Sequence, residues 1–252
     1  MLKIRDLTLI RTTRNYQNSS IKSLLIEAAL APVSFFTQQK ITEFFLQDIN
    51  IDLLPGDRVA FIGRNGSGKS TLCRLIAGQL FPSSGTITRN LKVSLFSQLE
   101  ESFFAELTGK ENLEFFLHAI FPEIDKDKFQ NIFEDCISFS GLEKRIDRPI
   151  ETYSLGMVSR LALSLLTAHH HEILILDEVH NHADENFRKK FSARLANTIH
   201  GSQSLIVVSH YFEDLLTSCN RGIVFDSGRI IFDGSIEKAV ACYKLMPPVD
   251  HV

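Results

Sequence analysis

The stretch Gly63–Thr71 reads GRNGSGKST, and the rest of the chain is best understood outward from it. Gly63–Ser70 satisfies G-x-x-x-x-G-K-[ST] at every specified position. RVAFIG (Arg58–Gly63) runs into it as a buried strand after a Pro55-Gly56-Asp57 turn. The pattern beyond it predicts a helix from about Ser70 to Leu80, stopped by Phe81-Pro82. Glycines at 63, 66 and 68 allow backbone N–H groups to converge on one anion, and a helix N-terminus adds its positive end. Lys69 is placed to bridge the β- and γ-phosphates, and Ser70 to give its hydroxyl to Mg²⁺. A plain glycine turn before a helix would explain the spacing alone. Strand, GKS and helix in this order point instead to a triphosphate site built from Gly63, Arg64, Asn65, Gly66, Ser67, Gly68, Lys69, Ser70 and Thr71.

A second segment narrows the chemistry. EILILDE (Glu172–Glu178) and SLIVVSH (Ser204–His210) are short continuous apolar runs, as expected of parallel strands covered on both faces. Asp177 ends the first of them, where the carboxyl edge of a sheet meets its ligand crevice, and is assigned to Mg²⁺ through the ion's water shell. Glu178 follows as the candidate general base for the attacking water. A solvated acidic pair at a strand end is the bland alternative, disfavoured by the loop that precedes it.

The remaining pattern is that of one α/β unit with a helical insert. Leu2–Leu9 alternates as a half-buried strand, Arg11–Ser20 is polar, and Ile21–Pro32 is apolar and helix-like. Ile21–Pro32 is too short to span a bilayer; a core helix is favoured, with contact to lipid or a membrane partner as the alternative. Strand character returns at Leu46–Leu53, Thr86–Thr88 and Val93–Phe96. Glu111–Ser140 and Ser159–His169 read as helices, and Gly222–Gly234 as a hairpin turning at Ser227-Gly228.

Composition sets limits. A chain of 252 residues with 44% hydrophobic and 23% charged residues fits one globular domain, and the net charge of −3 gives no basis for nucleic-acid binding. The four cysteines, Cys73, Cys136, Cys219 and Cys242, have no metal-ligand spacing and are expected as small buried apolar groups in a reducing compartment. No signal peptide or membrane span is legible. The His169-His170-His171 run, with His180 and His182 nearby, invites a metal reading, but a solvated loop is favoured because adjacent histidines cannot all face one ion.

With YSLGM (Tyr153–Met157) ahead of the Asp177 strand, Gln98 after the loop helix, Asp184 past Glu178 and His210 ending the next strand, the chain resembles the ABC ATPases over nearly its whole length. The resemblance implies an α/β P-loop NTPase fold with a RecA-like core, an antiparallel β subdomain and a helical subdomain. It divides the chain into core and β subdomain at about 1–97 and 160–240, a helical subdomain at about 98–159 and a tail at 241–252. It also implies ATP and Mg²⁺ as cofactors. His210 falls to the γ-phosphate and the attacking water, Gln98 to Mg²⁺ and a partner contact, and Asp184 to the family's D-loop. Tyr153, Ser154 and Gly156 form the signature that meets a γ-phosphate in trans. One loop and one signature then require a second copy, head to tail around two ATP. An adenine-stacking residue is expected near Arg11, with Tyr16 the nearest aromatic downstream.

LTGKENL (Leu107–Leu113), TYSLGMVSRL (Thr152–Leu161) and DEV (Asp177–Val179) are similar to segments of the ATP-binding subunits of capsule, O-antigen and teichoic-acid exporters. That implies an ABC-2-type integral membrane permease as partner and a polysaccharide or lipid-linked glycan as cargo. It also implies a peripheral position on the cytoplasmic face of the bacterial inner membrane. The chain ends soon after the hairpin, so no C-terminal glycan-reading β-sandwich is expected. Phe103 and Phe104 either line the cleft where a permease helix docks or pack inside the helical subdomain. An ABC-2 exporter of lipid, drug or peptide is the alternative function, and a non-transport ABC ATPase a more distant one.

Overall fold

The computed structural model describes residues 1–14, 40–97, 102–168, 171–179, 185–209 and 211–247. Within them are two sheets. Strands β1 (Leu2–Arg14), β2 (Lys40–Leu53) and β4 (Ser84–Arg89) form an antiparallel sheet in the order β2-β1-β4. The second sheet comprises β3 (Arg58–Gly63), β5 (Val93–Ser97), β6 (Ile173–Asp177), β7 (Ser204–Val208), β8 (Arg221–Asp226) and β9 (Arg229–Ser235). Its order is β5-β6-β7-β3-β8-β9. Its first five strands run parallel, and β9 closes the edge as the antiparallel arm of the expected hairpin.

The period-2 alternation of β3 explains how the layers are filled. Val59 and Phe61 face helix α1 (Lys69–Ala77) and the antiparallel sheet, in a core with Leu2, Ile4, Leu46, Leu72 and Phe225. Ala60 and Ile62 face the other way, toward α6 (Phe212–Ser218) and α7 (Ile236–Lys244), through Leu215, Ile236 and Ala239. Helix α1 is therefore wedged between the two sheets, and the loop leading into it cannot drift relative to either. A further cluster covers β6 with α4 (Leu155–Leu166) and α5 (Glu185–Gly201), around Leu163, Leu166, Leu174, Leu176, Phe187 and Phe191.

The helical insert has its own core, where Leu113, Leu117, Phe133, Cys136, Leu161 and Leu165 come together. The single helix expected over Glu111–Ser140 is two: α2 (Gly109–Ile120) and α3 (Lys126–Ser140). Pro122 explains the break, since it cannot donate to the ladder and pushes Phe121 out of helical geometry, at φ −129°. Helix α4 begins at Leu155, four residues before the predicted start, because Ser154 caps it. Phe103 and Phe104 part company: Phe103 is buried at 8% exposure in the helical core, and Phe104 is 44% exposed. The chain beyond the hairpin, read as a tail from 241, includes the second half of α7. The Ile21–Pro32 segment lies outside the described residues.

Cys73, Cys136 and Cys219 are buried, as expected of apolar thiols. Burial pushes the thiols of Cys136 and Cys219 up to about 12, which removes them from thiolate chemistry at neutral pH. The solvated-loop expectation fails at His171, which is buried at 5% exposure. Its Nε2 lies 2.9 Å from the Leu166 carbonyl and its Nδ1 2.9 Å from the Ser94 hydroxyl, with Phe96 edge-on to the ring. His169, His170, His180 and His182 fall outside the described residues. Among the described residues no helix is long and apolar enough to cross a membrane, and no group of three metal-ligating side chains occurs.

Candidate functional site

The loop after β3 is shaped by its packing. A Cβ on Gly63 would stand 2.5 Å from the Phe225 carbonyl oxygen and 2.7 Å from Ser67 Oγ. Gly68, at φ +100°, has Leu46 Cδ2 2.6 Å and the Phe45 carbonyl 2.9 Å from where a Cβ would sit. Only glycine fits either place, so β2 and β8 mould the loop from outside. Gly68 is also the N-cap of α1 and brings no side-chain cap, which leaves the first-turn N–H groups to an anion. The Ser67 hydroxyl is buried without a hydrogen-bond partner among the described residues. A phosphate oxygen at the mouth of this cradle answers both deficits.

Lys69 is 6% exposed, and its ammonium donates to the carbonyls of Gly63 at 2.8 Å and Arg64 at 2.9 Å. Burial lowers its pKa, opposed by the attraction of Glu178 and Asp177. The Ser70 hydroxyl donates to Asp177 Oδ1 at 3.1 Å. Asp177 is 4% exposed. Desolvation pushes its carboxyl above the usual range, while the Ser70 bond pulls the other way and Glu178 adds to the rise. A buried carboxylate beside a hydroxyl is a hard-oxygen pair suited to Mg²⁺, and neutralising that charge would relieve the desolvation.

Glu178 follows β6 in the left-handed region, at φ +51°, with its N–H donating to the Val208 carbonyl at 3.0 Å. Such a backbone costs a β-carbon residue about 1 kcal/mol or more and turns the chain sharply off the strand axis. Ser97, Asp177 and Val208 lie in register at the carboxyl ends of β5, β6 and β7. Gln98 follows Ser97 in sequence, and His210 comes two residues after Val208. Gln98, Asp184 and His210 themselves lie outside the described residues, as do Tyr16 and the side chain of Arg11.

Ser154 is exposed and caps α4, accepting a hydrogen bond from the Met157 N–H at 3.3 Å. Leu155, 58% exposed, and half-buried Gly156 complete this helix start. Tyr153 differs from its sequence grouping with the nucleotide contacts. Its hydroxyl donates to the Arg145 carbonyl at 2.8 Å and its ring packs on the helical core, so its side chain is committed inside the insert. Burial raises its pKa. The structure thus brings Gly63–Thr71, Asp177 and Glu178 to one sheet edge and sets Ser154 and Gly156 on a different helix start. Arg74 escaped the sequence reading although it helps hold down the Asp177 carboxyl. Its position four residues after Ser70, on the same helix face, was the available signal.

Residues 46–181 match the ABC transporter family. The O-antigen export system ATP-binding protein RfbB of Klebsiella pneumoniae is 34% identical over 199 residues, 79% of this chain and 80% of that protein. The polysialic acid transport ATP-binding protein KpsT of Escherichia coli is 38% identical over 210 residues, 82% of this chain and 91% of that one. A dimeric ATP-binding cassette in a post-hydrolysis state with ADP and Pi superposes with a TM-score of 0.70 at 18% identity, over 94% of this chain and 99% of that one. That last likeness speaks for the fold. The chain belongs to the ABC transporter family and is an ATP hydrolase of the ABC type.

Proposed function

We propose that this chain powers export of a polysaccharide or lipid-linked glycan, as a head-to-tail pair bound to an ABC-2-type permease on the cytoplasmic face of the bacterial inner membrane. The observation that carries the paired arrangement is the placement of Ser154 and Gly156 on an exposed helix start, apart from the sheet edge with the phosphate loop. Each chain then offers half of a site: a loop from one copy and a signature from the other. The cargo class is supported by RfbB and KpsT, named for O-antigen export and polysialic acid transport, which this chain matches over most of its length. The LTGKENL and TYSLGMVSRL segments favour that class over exporters of lipid, drug or peptide.

The chemistry follows from the residues. Backbone N–H groups of Gly66–Thr71 and the Lys69 ammonium bind the β- and γ-phosphates and spread the charge that develops on the leaving group. Ser70, Asp177 and Gln98 would hold Mg²⁺, whose charge offsets that of the phosphates. Glu178 accepts the proton of the attacking water as its oxygen bonds to the γ-phosphorus and the bond to the β-bridging oxygen breaks. His210 orients that water, and Ser154 and Gly156 of the second copy close over the γ-phosphate. Asp184 belongs to the pair's contact. The helical insert, about 98–159, carries the signature and swings it onto the partner as the pair closes.

The test is purification of the chain with the membrane protein that binds it, followed by reconstitution of the pair and assay with a polysaccharide or lipid-linked glycan, a lipid and a peptide in turn. ATP hydrolysis stimulated by that glycan, and abolished in Glu178→Gln, supports the proposal. Stimulation by a lipid or peptide but not by glycan would overturn the cargo assignment, and wild-type turnover in Glu178→Gln would overturn the base.

A further inference from the structure

Two stretches of the helical insert run side by side. The Gly109 N–H donates to the Arg148 carbonyl at 3.1 Å, Lys110 to Ile146 at 2.9 Å, Ile150 to Leu107 at 3.0 Å and Glu151 to Ala105 at 3.0 Å. Asn112, fully buried, stiffens the first stretch: its Oδ1 accepts from the Phe104 N–H at 2.8 Å. Its Nδ2 donates to the carbonyls of Phe104 at 3.0 Å and Thr108 at 2.9 Å. Where the stretches touch, the Tyr153 ring lies against Gly109. A Cβ on Gly109 would stand 2.3 Å from Tyr153 Oη and 3.1 Å from Cζ. The hydroxyl is meanwhile fastened to the Arg145 carbonyl, so the ring cannot back away without breaking that bond. Ser154 is the next residue.

We propose that Tyr153 is a positioning residue for the signature: seated on Gly109 and fastened to Arg145, it sets where Ser154 presents its hydroxyl and the start of α4. This rests on the reading above, in which Ser154 meets the nucleotide held by a second copy. The Tyr153 hydroxyl is committed to the Arg145 carbonyl, so its role here is to place its neighbour. Ser154 is exposed and, among the described residues, its hydroxyl is bonded only within its own helix start, so the turn before it takes its placement from its anchor. Transition-state contacts tolerate errors of well under 1 Å, roughly, before rate is lost, so an anchor one residue away governs turnover. The absent side chain at residue 109 is part of the device, which gives LTGKENL a stated mechanical link to YSLGM.

The experiment uses the full chain with three variants: Gly109→Ala, Tyr153→Phe, and the two combined. Gly109→Ala pushes against the Tyr153 hydroxyl and is expected to lower kcat about tenfold and to weaken the ATP-dependent dimer formed in a Glu178→Gln background. Nucleotide affinity of the dilute single chain, whose own loop is untouched, should stay within about twofold. Tyr153→Phe alone cuts the fastening to Arg145 and should lower kcat about threefold; added to Gly109→Ala it also removes the oxygen that the new methyl meets, so the combined variant should turn over like Tyr153→Phe alone and better than Gly109→Ala. Gly109→Ala turning over like the unmodified chain overturns the inference. So does a loss of kcat that tracks lost nucleotide affinity and Tm and is not relieved in the combined variant, since that marks general destabilisation. The Glu178→Gln chain with Tyr153 and Gly109 intact reports on the underlying reading: no ATP-dependent dimer there removes the paired site itself, whereas a dimer there and an equal one with Gly109→Ala removes only the role of Tyr153.

Discussion

The Ser70 hydroxyl donates to Asp177 Oδ1 at 3.1 Å, joining the first turn of α1 to the end of β6 across 107 residues of sequence. One partner comes from the phosphate loop and the other from the ILILD strand, and β7 between β6 and β3 fixes the spacing. The pair presents hard oxygens from two rigid elements; burial raises the pKa of its acidic member, and the Ser70 bond opposes that rise.

That burial predicts how the pair responds to mutation. Asp177→Asn removes a carboxyl whose charged form burial disfavours, so thermal stability should hold or rise, while Mg²⁺-dependent hydrolysis should fall by about a hundredfold or more. Ser70→Ala takes away the one hydroxyl that favours ionised Asp177 and should raise the Mg²⁺ concentration needed for half-maximal rate. A Mg²⁺ titration of ATPase rate alongside melting curves separates the outcomes. Parallel loss of stability and rate in Asp177→Asn would contradict the assignment.

Neighbours Phe103 and Phe104 should behave oppositely. Phe103 is buried edge-on to Phe116 at 5.3 Å, so Phe103→Ala should cost about 3 kcal/mol in denaturant unfolding. Phe104 is 44% exposed and meets exposed Phe115 at 5.1 Å, so Phe104→Ala should cost about 1 kcal/mol or less. If this face receives the permease, Phe104→Ala lowers the amount of permease that co-purifies, with ATP binding retained. Co-purification unchanged in Phe104→Ala would assign the docking face elsewhere.

Why the sequence separated some elements cleanly and blurred others is visible at these positions. RVAFIG, ILILD and SLIVV are short apolar runs bounded by turns, and local pattern sufficed because parallel strands are covered on both faces. The phosphate loop was legible because its backbone demands glycine at fixed offsets. The split at Phe121-Pro122 was written in a single proline that the surrounding apolar period masked. The opposed fates of Phe103 and Phe104 depend on which way two adjacent residues face in an irregular stretch, where no period exists to read. Tyr153 looked like part of a ligand motif, and only its partner Arg145, eight residues back, shows where its hydroxyl goes.

The start of α2 carries a pH signature. Thr108 accepts from the Glu111 N–H, and Glu111 accepts from both the N–H and the hydroxyl of Thr108. Those bonds, the backbone one first, lower the Glu111 pKa below its ordinary 4.5. A carboxylate with a depressed folded-state pKa contributes stability that is fully present above the unfolded value and is lost as pH falls through the folded one. Glu111→Gln should therefore lower Tm at neutral pH, and the gap from the unmodified chain should narrow as pH drops below about 4.5. Melting curves across that range check it, and a gap that does not change with pH would show that the carboxylate's charge is irrelevant to the cap.

His171 is a buried histidine that serves structure just ahead of β6. The Leu166 carbonyl can only accept, so Nε2 carries a proton, and in the neutral ring Nδ1 accepts from the Ser94 hydroxyl. The imidazole thereby ties the end of α4 to β5, the strand that runs beside β6 toward Gln98. His171→Leu keeps the volume but leaves a buried carbonyl and a hydroxyl without this partner, at a cost of about 2 kcal/mol. Ser94→Ala alone should cost less, about 1 kcal/mol, and should add almost nothing on top of His171→Leu, because the two substitutions remove one shared bond. Additive losses in that cycle would mean Ser94 is stabilised by something other than His171. A metal role for His171 is excluded by the same geometry, because both ring nitrogens already have protein partners.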